Sequence, residues 1–122
     1  MSTDTGHKCF IEVAAQPALV RVTLRGDATM DAAELVRGAL ADAHARATAA
    51  PAREVVVDFS QLEFMSSICL KTVLTWLGTV ESLDPGRRYG VRLISNPSIP
   101  WQKRSIHALA SFAPGLLTVD ET

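Results

Sequence analysis

Ser66 and Ser67 stand between a strand-like run and an apolar helical repeat, where a hydroxyl has local chemistry to do. A serine just ahead of a helix accepts a hydrogen bond from an orphan amide and stabilises the helix by ~1 kcal/mol. Ser66 suits that role. Asp58 follows Val55-Val56-Val57, as a carboxylate at the end of a strand would. A phosphoaccepting aspartate also needs an acidic pair and a lysine to hold magnesium and phosphate. Asp27 and Asp31 are split across a loop and a helix start, and neither Met65-Ser66 nor Leu93-Ile94 supplies a lysine. Asp58 therefore reads as a solvated carboxylate that fixes the loop after it.

The remaining reactive side chains are scattered. His7, His44 and His107 have no partner at helical ligand spacing, so no metal site is expected. Cys9 and Cys69 form no CxxC or Cys/His cluster and read as two reduced thiols in a cytoplasmic protein. Phosphate loops, dinucleotide fingerprints and nucleophile elbows are absent, and no cofactor is expected. Catalysis would need a nonlocal pair, for example Ser67 near His107. Pro100-Trp101-Gln102-Lys103-Arg104 joins an aromatic to two cations. The simpler reading packs Trp101 over the sheet edge and leaves Lys103 and Arg104 solvated; the alternative is an anchor for a partner.

The elements that must position these residues follow from periodicity. Cys9–Ala14 is short and apolar, and Gln16-Pro17 turns the chain. Leu19–Leu24 alternates with period two, so the pair reads as an antiparallel hairpin. Gly26–Thr29 is expected as a loop. Ala32, Leu35, Val36, Ala39, Leu40 and Ala43 then recur at helical spacing from about Met30 to Thr48, and Pro51 lies beyond the helix end. The β-branched run in Glu54–Phe59 predicts a central strand covered on both faces. Gln61–Ser67 is expected as a loop, and Leu70, Val73, Leu74, Leu77 and Val80 mark a helix over Ser66–Leu83. Trp76 falls on the flank of that stripe, either partly exposed or covered by the third helix. Tyr89–Ile94 is a strand, Ser95–Ser98 a loop, and a third helix opens at Ile99 or Pro100 and ends at Pro114-Gly115. Leu116–Val119 is a last short strand.

The order β-β-α-β-α-β-α-β predicts one α/β domain: a mixed, mostly parallel four- to five-stranded sheet, an N-terminal hairpin and three main helices. The domain is expected over residues 9–122, behind a flexible tail at 1–8. A length of 122 residues suits one domain, and a net charge of −1 leaves no basic field for nucleic acid or anionic lipid. No apolar run approaches the ~20 residues that span a bilayer, and Met1–Lys8 has no secretory h-region.

Val55-Val56-Val57-Asp58-Phe59-Ser60-Gln61-Leu62-Glu63-Phe64-Met65-Ser66-Ser67-Ile68-Cys69-Leu70 resembles the signature of STAS domains, the family that includes bacterial anti-sigma-factor antagonists. That pattern is a valine-rich strand ending in Asp-Leu, a loop with an apolar pair, then Asp-Ser-Ser-Gly-Leu opening a helix. Aligned on Phe64-Met65, Ser66 replaces the acid, Ser67 takes the place of the phosphorylatable serine, Ile68 that of the second serine, and Cys69 that of the glycine. The upstream Leu24-x-Gly26 and the element order agree with it. The resemblance implies a non-enzymatic regulatory module with Ser67 as phosphoacceptor. It implies a partner surface of Thr29, Asp58, Met65, Ser66, Ser67, Cys69, Lys71 and Trp76, and as partner a serine-kinase-type anti-sigma factor or signalling scaffold. The alternatives are a small-ligand or nucleotide-binding α/β domain, or an unphosphorylated scaffold subunit of a larger signalling complex. A pocket of convergent polar groups at the strand-end loops would favour a ligand; an apolar patch would favour a protein.

Overall fold

The structure, a computed structural model, describes residues 8–49 and 52–122. Two expectations, the rest of the N-terminal tail and Pro51 beyond the first helix, lie outside them. Lys8, expected in the tail, is already tied in, because its carbonyl accepts the Asp27 N–H at 2.9 Å.

Five strands form one sheet in chain order: β1 (Cys9–Gln16), β2 (Leu19–Ala28), β3 (Glu54–Met65), β4 (Gly90–Ser95) and β5 (Leu117–Glu121). β1 runs antiparallel to β2, and the other neighbours are parallel. The helices are α1 (Ala33–Ala49), entered by a 3-10 turn at Met30–Ala32, α2 (Ser67–Glu81) and α3 (Pro100–Phe112). Right-handed crossovers that always step the same way put all three helices on one face of the sheet. Val20, Val22, Leu24, Val55, Val57, Phe59 and Leu93 meet Val36, Leu40, Val73, Leu77, Ile106 and Leu109 there in a single core. Each such side chain, fully buried, contributes ~1.5–3 kcal/mol. No helix among the described residues is long and apolar enough to cross a membrane.

Three expectations are corrected. The valine run is not covered by helices on both faces. Val56 is only 4% exposed yet lies outside the main core, and its register neighbours are Arg21 and Arg92. On that open face Arg21 pairs with Asp58 at 2.8 Å, and Arg92 bridges Glu54 at 3.0 Å and Asp120 at 2.8 Å. The aliphatic stems of the arginines shield the valine that a second helical layer would otherwise have to bury. Gly26–Ala28 and Gln61–Met65 are strand, not loop: β2 and β3 stay paired to Ala28 and Met65 across two register shifts. Those bulges space the buried residues Phe59, Leu62 and Met65 three apart, which erases the period-two signal. Leu35, expected on the core face of α1, is half exposed, and the buried stripe is Val36, Leu40, Ala43 and Ala47.

Candidate functional site

The bulged ends of β2 and β3 project beyond β4 and deliver the serine pair to the top of the domain. Gly26 makes the first bend possible. Its φ of 91° suits only glycine, and a Cβ there would meet the Lys8 carbonyl oxygen at 2.1 Å. The carbonyls freed by the bulge in β3 are taken up by α3. The Gln102 side-chain amide donates to Phe59 O at 2.6 Å and Leu62 O at 3.0 Å, while its Oε1 accepts the Asn96 N–H at 2.8 Å. The Trp101 indole N–H donates to Leu62 O at 2.9 Å, and its ring meets Phe59 edge-on at 5.9 Å. Trp101 is thus a packing residue, with Lys103 and Arg104 exposed as the simpler reading expects.

At the tip, Ser66 is the N-cap of α2: its backbone is extended, and its Oγ accepts the Cys69 N–H at 3.4 Å. Its own N–H donates to Ala28 O at 2.7 Å, fixing the helix start to the end of β2. Ser67 opens the helix with its side chain exposed, in a first turn that contains no acid. Cys69 is fully buried beneath it, and its thiol donates to Thr29 O at 3.3 Å. Where the resemblance places a glycine, this chain therefore makes a side-chain tie between α2 and the loop before α1. The Cys9 thiol, half-buried nearby, is pushed up in pKa by desolvation first, then by Cys69 and Asp27.

Among the expected surface residues, Thr29, Met65, Ser66, Ser67 and Cys69 come together, and Lys71 follows Ser67 one turn along the exposed side of α2. Only part of this group faces solvent, because Met65 and Cys69 are buried. Asp58 lies elsewhere. β3 does not end at it, and its carboxylate is engaged by Arg21 and by the Ser60 N–H at 2.9 Å. Trp76 is buried too, but against α1 and Tyr89 rather than under α3: it lines the α1–α2 groove with Leu40 and His44, its ring 6.4 Å from Tyr89. The Tyr89 hydroxyl lies 2.6 Å from His44 Nδ1, and burial pushes its pKa up to about 12, with the neighbouring Trp76 side chain acting in the opposite direction.

Sequence reasoning missed the apolar rim. Met30, Phe64 and Ile68 are 71%, 46% and 45% exposed, on the three segments that meet at the serines. The available signal was that each falls outside the buried stripe of its own element. Three cavities among the described residues lie away from the tip: about 310 Å³ between α1 and α2, about 420 Å³ where His107 of α3 faces Val119 and Asp120, and about 430 Å³ along β1. Among the described residues, no cluster of His, Cys, Asp and Glu is arranged to hold a metal ion.

A five-stranded, mostly parallel sheet in chain order, with three helices on one face and a serine-capped tip, defines the SpoIIAA-like α/β class. An anti-sigma factor antagonist from Mycobacterium paratuberculosis superposes with a TM-score of 0.65 at 18% identity, over 91% of this chain and 86% of that one. The Bacillus cell-fate determinant SpoIIAA in its phosphorylated form gives 0.59 at 19% identity, over 91% of each chain. A protein of SpoIIAA-like fold from Shewanella loihica gives 0.58 at 18% identity, over 100% of this chain and 92% of that one. Residues 11–86, more than half of the sequence, match the family model described as Mlab, STAS domain. The chain belongs to the STAS domain family. No curated protein was found to match the sequence.

Proposed function

We propose that the chain is a regulatory protein–protein interaction domain that docks its partner through the tip and acts without catalysis. The observation that carries this reading is the exposed Ser67 at a tip where Met30, Phe64 and Ile68, on the segments tied together there, are exposed as well. Such exposed apolar side chains favour a protein over a small ligand, which would want a concave pocket. The partner is a protein of the serine-kinase anti-sigma type or a signalling scaffold, and Ser67 is the switch. A phosphate there would add about −1.5 to −2 charges beside helix amides that tolerate an anion. Ser66 would keep its cap, so the domain would stay folded while the apolar rim became a poor seat for a desolvating partner.

The test is a pull-down with wild type, Ser67→Ala and Ser67→Glu, combined with intact-mass measurement of the purified protein. Loss of the captured protein with Glu alone supports the switch. Equal capture by all three forms would make the domain a constitutive scaffold. If Ile68→Asp captures as well as wild type, the tip is not the docking surface.

A further inference from the structure

We propose that a second copy of this chain pairs with the free edge of β1, joining two sheets across a twofold axis. The proposal is independent of the tip. Among the described residues β1 is the end strand of the sheet, so alternate residues turn their N–H and C=O groups away from β2 with no further strand beside them. Proteins usually blunt such an edge with lysine, proline or shortness. The other edge, β5, is five residues long and carries Asp120 and Glu121. β1 is eight residues long, and Glu12 is its single charge. Its core-side residues Cys9, Ile11 and Val13 are only half-buried, whereas Val20, Val22 and Leu24 beside them are sealed. Leu35 on α1 overhangs the same edge, half exposed, and lines the hollow of about 430 Å³ with Cys9, Phe10, Ile11, Glu12 and Arg25. An added strand with apolar side chains on alternate positions would cover Ile11, Val13 and Leu35 together.

Charge complementarity argues for a second copy as the occupant. Arg25 lies over the exposed Phe10 ring, its guanidinium carbon 5.6 Å from the centroid, with Phe10 opposite Arg25 in the β1–β2 ladder. The guanidinium is thereby held above the outermost strand, where an incoming neighbour would be met. An antiparallel copy centred on Ile11 sets Phe10 opposite the partner's Glu12 and Cys9 opposite the partner's Val13, over Lys8–Ala14 of each chain. That arrangement brings a carboxylate beside the Arg25 guanidinium, and the symmetry repeats the match. Centring on Glu12 would oppose two glutamates, and centring on Val13 would leave each Glu12 opposite an alanine.

Sedimentation velocity from low micromolar to submillimolar protein tests this directly. Wild type is expected to shift from monomer to dimer mass. Glu12→Arg and Arg25→Glu, both surface changes, should each weaken the dimer by roughly tenfold or more through like-charge contact, and the double exchange should restore it. Leu35→Arg, on the exposed flank of α1, should also dissociate it, and circular dichroism would establish that each variant is folded. A wild type that stays monomeric throughout, or a double exchange that fails to rescue folded single variants, overturns the proposal. So does a dimer indifferent to Leu35.

Discussion

Replacing Gly26 by alanine tests whether the tip is set by backbone geometry. The φ of 91° costs a residue with a Cβ ~1–2 kcal/mol. The methyl carbon would stand 2.1 Å from Lys8 O, well inside the ~3.5 Å at which nonbonded heavy atoms meet. Lys8 cannot retreat without giving up its bond to the Asp27 N–H, about 1 kcal/mol more. The loss of freedom in the unfolded chain returns ~0.4–1 kcal/mol, leaving a net destabilisation of about 2 kcal/mol. For a domain of this size that lowers the midpoint of thermal unfolding by about 8 °C. Gly38→Ala is the matched control. Gly38 sits exposed within α1 with nothing within 4 Å of its missing Cβ, so the same substitution should stabilise by ~0.5–1 kcal/mol. Urea denaturation followed by tryptophan fluorescence measures both. A Gly26→Ala protein as stable as wild type would refute the reasoning, since the strain and the collision are both read from this backbone.

Further outcomes follow from single contacts. Ser66→Ala should cost ~1 kcal/mol by removing the cap on Cys69 N–H, while Ser67→Ala should leave the denaturation midpoint unchanged. Equal losses would mean that the two serines are not divided between capping and display. Tyr89 is the single tyrosine, so absorbance at alkaline pH reads it alone, with a midpoint near 12 rather than 10. The folded state holds that proton longer than the unfolded one, so stability is intact below pH ~10 and falls as pH rises toward 12. Tyr89→Phe should flatten that decline. Ala18 has a φ of 65° in the β1–β2 turn, so Ala18→Gly should raise stability by ~0.5–1 kcal/mol in the same urea titration.

The features legible in the sequence are those whose signals are local. Alternation through Leu19–Leu24 reported the hairpin, and the serine pair ahead of Leu70, Val73 and Leu77 reported a capped helix start. The second half of β3 was hidden because its bulges move Leu62 and Met65 out of phase with Phe59. Val56 misled for a different reason: two arginines from neighbouring strands cover it, and no pattern within β3 encodes them. Asp58 and Trp76 were placed at the tip because their distance from it depends on where β3 stops and where α1 lies, both products of long-range pairing. Met30, Phe64 and Ile68 were not gathered into one surface because their segments are brought together by the pairing of β2 with β3 out to Ala28 and Met65, which is long-range.

The strand order has a consequence for biosynthesis. Each strand lies beside the one before it in the chain, so a sheet emerging from the ribosome can grow at an edge already built, without waiting for a distant segment. The loose carbonyls of Phe59 and Leu62 are the exception, since they are met only when Trp101 and Gln102 arrive. The serine-bearing tip is made early and finished late, and a truncated chain ending before α3 would present it unsecured.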